Sequence, residues 1–535
     1  MAAKPPGGRG VPPGDCRAIA FSGPAPPLPA ENLTRPITFK NAVALLRTPS
    51  TASDASLPVT SQSSDAEAVT PVRHQGRPLS EEPATEIAAL ARAAAQRRLV
   101  IYAGAGLSAA PPACGPTGWS VADRLRRPVA TMLGIDEAEL ATLNLEQIAE
   151  VVETRAPERL NELRETAATT FDFRGLEPNY GHEIAALLLR EGLLEIVSAN
   201  WDCAIEKAGL QVAVAIAGVA TATQRLQLAH ELPLYKIHGC AKRPQTLALT
   251  QSEVDRPQTW AVAQVQSALT GGIVVFVGLG TVGLYVREPL EELLTAWAAD
   301  QATIHVVDPQ LSEAWREALG ERTEQAHHAI GADAFFDELI RAVIRFALTT
   351  AESSVDILAE HETWAEPMVA GISKVRHALQ SATGDAVLRW WRDAVVDTQA
   401  GRPFITELRG QQAMMTVALL AGKENGPVSS TGVHGRMTMA SDTRYYEIAC
   451  RPGAHVSEVE RVSRARVDRR RLENVYADSR PVVVVVSGAM GQFPAPDAPL
   501  EIAGVEQDPA DISDVLPNIV RLVAAEDGVL GRLSA

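Results

Sequence analysis

No Cys-x-x-Cys pair occurs in the 535 residues, and there are only five cysteines: Cys16, Cys114, Cys203, Cys240 and Cys450. That spacing supports neither a disulfide framework nor a cysteine-held zinc site, and it fits a chain kept reduced inside the cell. There is no uncharged apolar run of about 18 residues, nor the charged-then-apolar order of a signal peptide at the N-terminus, so a cytoplasmic protein with no membrane partner is expected. Basic residues are the minority, 49 Lys+Arg against 65 Asp+Glu, for a net charge of −16. Such an acidic chain is poorly suited to gripping phosphate backbones, which argues against nucleic acid as its main ligand.

What is present is ordinary globular material, 46% hydrophobic and 21% charged. The length predicts two to four domains. The first 80 residues hold 13 of the 35 prolines and carry eight Lys/Arg against five Asp/Glu, so residues 81–535 must carry −19. Residues 1–80 read as a disordered Pro-rich leader. From Glu81 onward helical and strand patterns alternate. Thr85 to Arg98 is Ala-rich and amphipathic, Leu143 to Thr170 has apolar residues at helical spacing, and His182 to Arg190 reads as a helix. Arg98 to Ala103, Leu194 to Ser198, Leu234 to His238, Gly272 to Val277 and Thr303 to Val307 read as short buried strands. The alternation predicts an α/β fold with a parallel sheet, helices on both faces and a helical insert, over residues 81–348. Residues 349–535 are expected to form a mixed α/β region, with helices over Val355 to Val396, strands at Met414 to Leu420, Tyr445 to Cys450 and Pro481 to Val486, and a last helix over Ile512 to Ala525.

Five clusters of glycine or polar residues follow the five strands, which is where a parallel sheet presents its ligand. Tyr102-Ala-Gly104-Ala105-Gly106-Leu-Ser108 has the glycines of a turn that can bring backbone N–H groups against a pyrophosphate, with Ser108 as a hydroxyl donor. In Ser198-Ala-Asn200-Trp-Asp202 the two polar side chains can hold ribose hydroxyls or a carboxamide; taken alone, these residues read rather as an Asn-turn with Asp202 as a helix cap. His238-Gly239 offers a base near neutral pH, although an isolated histidine is more often structural. Gly278-Leu-Gly280 is a second glycine turn, and Asp308 ends the last strand where it can accept from ribose hydroxyls.

In this order the motifs over about 85–345 resemble the sirtuin (Sir2-like) NAD-binding domain. The resemblance implies a Rossmann-like fold with NAD bound as substrate. It implies Gly104, Ala105, Gly106 and Ser108 as phosphate loop, Asn200 and Asp202 beside the nicotinamide ribose, and His238 as catalytic histidine. Gly278 and Gly280 become the second dinucleotide turn, and Asp308 the adenosine-ribose contact. Two departures bear on the branch. Protein-deacylating sirtuins carry a zinc module with two Cys-x-x-Cys pairs after His-Gly, where this chain has only Cys240, so no zinc is expected. They also follow the glycine loop with a Pro-Asp-Phe-Arg-Gly segment; a related string here, Phe171-Asp-Phe-Arg-Gly175, lies more than 60 residues downstream and reads as coincidental. With the helical insert, these features resemble the zinc-less Sir2-like NAD hydrolase domains of bacterial defence proteins. The expected activity is therefore cleavage of NAD to nicotinamide and ADP-ribose in anti-phage defence by NAD depletion, catalysed by Asn200, His238 and Asp202. The alternatives are an NAD-dependent protein deacylase and a non-catalytic nucleotide sensor.

An enzyme of that kind needs restraint, so residues 349–535 are expected to serve regulation or oligomerisation, with a homo-oligomer or an activating partner protein. The run Arg461, Arg464, Arg466, Arg469, Arg470 and Arg471 is interleaved with Glu460, Asp468 and Glu473, and reads as a solvated or oligomer-facing helix in preference to a nucleic-acid contact. Val482 to Val486 running into Ser487-Gly488 reads as an ordinary turn in preference to another nucleotide loop.

Overall fold

The computed structural model describes residues 75–82, 85–280, 283–296, 304–359, 365–395 and, with short gaps, 400–450, together with parts of 462–476 and residues 482–487, 502–504 and 519–522. Residues 1–74 of the expected leader lie outside this set. Residues 75–80 are folded. The antiparallel bridge of Pro78 with Thr383, in which Leu79 N donates to Ala382 O at 3.0 Å, the burial of Leu79 and the Arg77 ion pair with Asp337 at 2.9 Å fix them to the helices that follow the first sheet.

Seven strands form the first sheet: β1 Leu99–Ala103, β2 Glu195–Ser198, β3 Ile216–Val219, β4 Leu232–Lys236, β5 Ile273–Val277, β6 Ile304–Val307 and β7 His327–His328. Their order is β3-β4-β2-β1-β5-β6-β7, and every neighbouring pair is parallel. The expected parallel sheet is therefore present. The strand order reverses at β1, which has β2 on one side and β5 on the other. Residue alternation explains why both faces are covered. Leu99, Ile101 and Ala103 of β1 point into a core shared with helices Thr85–Ala95, Tyr180–Arg190 and Ala332–Ala359, whereas Val100 and Tyr102 point into one shared with Thr259–Gly271 and Leu284–Ala296.

The helical insert consists of Gly118–Leu133, Leu145–Arg155 and Leu160–Thr170, with a core of its own centred on Leu125, Ile148 and Leu163. Pro157, which lacks an N–H, separates the last two helices where the sequence reading ran them together.

The second sheet contains β8 Ser429–Val433, β9 Arg436–Ala440, β10 Tyr445–Cys450, β11 Val482–Ser487, β12 Ile502–Gly504 and β13 Ile519–Leu522, in the order β12-β13-β11-β10-β9-β8. It is mixed, with β10, β11 and β13 parallel and the other pairs antiparallel. Two expectations fail here. Met414 to Leu420 belongs to the helix Leu408–Lys423, because Ala413, Met414, Val417, Ala418 and Ala421 are buried at helical spacing against neighbouring helices. A short apolar run does not by itself distinguish a strand from a buried helix. Ile519–Leu522, within the expected last helix, is a strand paired with β11 and β12; the rest of 512–525 is outside the described residues. Residues 488–501, after β11, are outside them as well.

Candidate active site

The C-terminal ends of β1, β2, β4, β5 and β6 open on one cavity of about 530 Å³, roofed by the helical insert. Ala105, Gly106, Ser108, Asn200, Asp202, His238, Gly278, Gly280 and Asp308 all line it. Gly104, the remaining candidate, lies behind the wall and shapes it. A Cβ on Gly104 would stand 2.5 Å from the Gly278 carbonyl oxygen, and one on Gly278 would stand 2.5 Å from the Gly106 Cα. The two glycine turns thus interlock, with Gly278 at φ +63°, a conformation that glycine adopts without penalty. Gly104 N donates to Val277 O and Gly106 N to Gly278 O, both at 2.9 Å, so these N–H groups bind the turns to each other rather than standing ready for a phosphate.

Ser108 is the centre of a buried network. Its Oγ donates to Asp202 Oδ2 at 2.8 Å and lies 3.3 Å from Asn200 Nδ2 and 3.1 Å from His182 Nε2. The Nδ1 of His182 accepts from Asn179 N at 3.2 Å, so the ring proton sits on Nε2 and is donated to Ser108. Burial depresses the His182 pKa to about 4, with Asp202 opposing, and keeps the ring neutral. The Ser108 proton, read from the sequence as a phosphate donor, is therefore engaged by Asp202. Asp202 Oδ2 accepts from Ser108 at the cavity wall, and its Oδ1 accepts from Ala204 N at 3.0 Å, at the start of helix Ala204–Gln211. Asn200 spends its amide NH2 on Gly104 O, at 2.9 Å, and on Ser108, and neither bond uses Oδ1.

In the turn after β4, His238 Nε2 lies 3.1 Å from the Tyr285 hydroxyl, which in turn meets the buried Tyr102 hydroxyl. Burial moves the pKa of His238 down to about 4, partly offset by Asp255, and burial raises that of Tyr285. His238 is thus neutral at pH 7. Its turn depends on Gly239, at φ +89°, where a Cβ would meet Thr246 O at 2.2 Å.

Several contributors went unread in the sequence. Tyr285 is in a helix after the second glycine turn, Tyr102 is inside β1, and His182 looks like an ordinary capping residue. The insert supplies Asn144, Leu145, Glu146 and Trp119, the last 62% exposed at the rim. Phe171-Asp-Phe-Arg-Gly175 is not remote from the site. The insert leaves the sheet after β1 and returns, so Phe173 lines the cavity, stacks edge-on with Trp201 at 5.8 Å, and accepts at its carbonyl from Cys203 N at 3.1 Å. The lining carries Glu146, Asp202 and Asp308 and, among the described residues, no Lys or Arg.

A doubly wound parallel sheet with a ligand cleft at its switch point defines the class. Residues 194–328 match the family model described as a SIR2-like domain, in line with the resemblance read from the motifs. The matched stretch runs from β2 to β7 and includes Asn200, Asp202, His238, Gly278, Gly280 and Asp308. Among solved structures, a crystal structure of a Sir2 homologue–NAD complex aligns over 51% of this chain and 98% of its own, at 15% identity and a TM-score of 0.32. A Sir2 homologue mutant in complex with ADP-ribose aligns over 49% and 97%, at 17% identity and a TM-score of 0.30. No curated protein matches the chain.

Proposed function

We propose that this cavity binds NAD and hydrolyses it to nicotinamide and ADP-ribose, without a metal. The observation that carries the proposal is that Asn200, Asp202 and His238, from the ends of two different strands, line one cavity with the two glycine turns. Its volume is in the range of roughly 300–1,000 Å³ usual for ligand sites.

Nicotinamide leaves as a neutral molecule when the bond between its ring nitrogen and the ribose breaks with the electron pair going to nitrogen, so little acid catalysis is required. The ribose becomes oxocarbenium-like, and the carboxylate of Asp202 is placed to stabilise that charge. Asn200, with its NH2 fixed, presents Oδ1 to orient a ribose hydroxyl or the attacking water. Neutral His238 accepts the proton as water adds, and Tyr285 and Tyr102 hold its ring. Asp308 stands at the far end for the other ribose, and Trp119 at the rim for a base face. Purified protein incubated with NAD alone should release nicotinamide and ADP-ribose, and Asn200→Ala and His238→Ala should each lower the rate by about 100-fold or more while remaining folded. Wild-type rates in those folded variants overturn the assignment. Release that requires an acylated lysine peptide identifies a deacylase instead, and binding without turnover a sensor.

The physiological role that follows is NAD depletion in antiviral defence, with residues 349–535, self-assembly or a partner protein holding the enzyme inactive until triggered. Full-length protein that is fully active as an untriggered monomer would contradict such restraint.

A further inference from the structure

Behind the strand ends lies a second group of reactive side chains that NAD hydrolysis does not use. Cys203 follows Asp202 and Cys240 follows His238-Gly239, so two thiols come from the loops after β2 and β4. Both are free and buried, and they pack together with Ala220. Their loops are tied by Ala241 N donating to Trp201 O at 2.9 Å, and the two sulfur atoms lie within 4.8 Å of each other. The buried Lys236 of β4 brings its Nζ to 3.8 Å from Cys240 Sγ and 3.2 Å from Glu206 Oε1, and it also donates to the Asp202 carbonyl. A separate cavity of about 270 Å³ is lined by Cys240, Glu206, Gly218 and Lys242. Ligand atoms of Cys203, Glu206 and Cys240 lie within 4.8 Å of one another, but the Lys236 ammonium already supplies the positive charge there, so the trio is not read as a metal site.

We propose that Cys203 and Cys240 form a peroxide-sensitive thiol pair, in which Cys240 is oxidised through this second cavity and Cys203 resolves it to a disulfide. The order follows from the surroundings. Cys240 lines the second cavity, Cys203 does not, and the Lys236 ammonium stands 3.8 Å from the Cys240 sulfur; the neighbouring Cys203 thiol and, after it, Lys236 hold Cys240 below the usual thiol range. The Cys240 thiolate attacks one oxygen of a hydroperoxide: an S–O bond forms, the O–O bond breaks, and the departing oxygen leaves as water or alcohol after taking a proton from solvent. Cys203 then attacks the sulfenic sulfur; the S–S bond forms, the S–O bond breaks, and the thiol proton leaves with the oxygen as water. Two thiols lose two electrons, and the peroxide gains them. The resulting bridge would join the loops that carry Asp202 and His238.

The proposal does not depend on the NAD reading, and its test reads mass rather than activity. Full-length protein carrying Cys16→Ser, Cys114→Ser and Cys450→Ser is treated with hydrogen peroxide, alkylated and mapped without reduction. Expected are a peptide linking Cys203 to Cys240, loss of two hydrogens from the intact mass, and reversal by dithiothreitol. In the same background with Cys203→Ala, a sulfenic acid should be trapped at Cys240. The proposal is overturned if both thiols remain alkylatable after denaturation at peroxide doses that oxidise exposed Cys114 in the wild-type protein, or if no sulfenic acid forms at Cys240 in the Cys203→Ala variant while one is trapped at Cys203 in the matching Cys240→Ala variant.

Discussion

At the scale of single residues, the site is built on neutral histidines. His182 and His238 both have pKa values depressed to about 4 by burial, below the ordinary 6.5. A histidine with a lowered folded pKa binds its proton more readily in the unfolded chain. Its contribution is therefore complete above pH 6.5 and is lost as pH falls from 6.5 towards 4, at a cost on the order of 3 kcal/mol per ring. Chemical denaturation at a series of pH values should show stability flat from pH 8 to 6.5 and declining steeply below, with His238→Gln flattening the decline. The proposed NAD cleavage, with His238 as the acceptor, should hold from pH 8 to about 5.5 and fall only below that. A rate midpoint near 6.5 would mean that His238 is solvated and not the base. The Arg run also resolves at this scale. Arg470 is buried, bonded to Glu447 and to Asp393 at 2.9 Å, and half-buried Arg466 donates to Asp393 O, whereas Arg469 is exposed; Arg461, Arg464 and Arg471 lie outside the described residues. Arg470→Ala leaves Glu447 buried without its cation and should cost about 3 kcal/mol in denaturant titrations.

Among the elements, the interlocked glycine turns after β1 and β5 leave least room for change. Gly278→Ala places a side chain at φ +63° and against the Gly106 backbone, which should destabilise by more than about 2 kcal/mol and lower the melting temperature, whereas Gly280→Ala, with open space around it, should be tolerated thermally. Equal melting temperatures for the two variants would refute the interlock. The same elements show what could be read in advance. Five strands were legible because each is a short apolar run ending in a polar or glycine turn, and those turns carry the candidate residues. The strand β3 was missed because Ala217-Gly218 interrupts its apolar pattern, and β7 because its two residues are both histidine. Tyr285, Tyr102 and His182 were illegible for another reason: each acts on the site through a tertiary contact from a helix or strand interior, and neighbouring sequence does not encode which distant side chain a hydroxyl will meet.

For the molecule as a whole, one core runs without a break from β1 and helix Tyr180–Arg190, through Phe335 and Trp391, to Met437 and Ile448 of the second sheet. Helix Ala332–Ala359 passes through position 348, the expected end of the catalytic domain. We propose that the two regions melt together, and calorimetry should show a single main transition for them; two well-separated transitions would contradict this. The acidic lining of the cleft has a further consequence for how the ligand arrives. On the proposed reading, NAD, a net monoanion, enters a cleft lined by three carboxylates on a chain of charge −16, so diffusion brings it in against a repulsive potential. Added salt screens that repulsion, and kcat/KM should rise, not fall, between about 20 and 200 mM ionic strength.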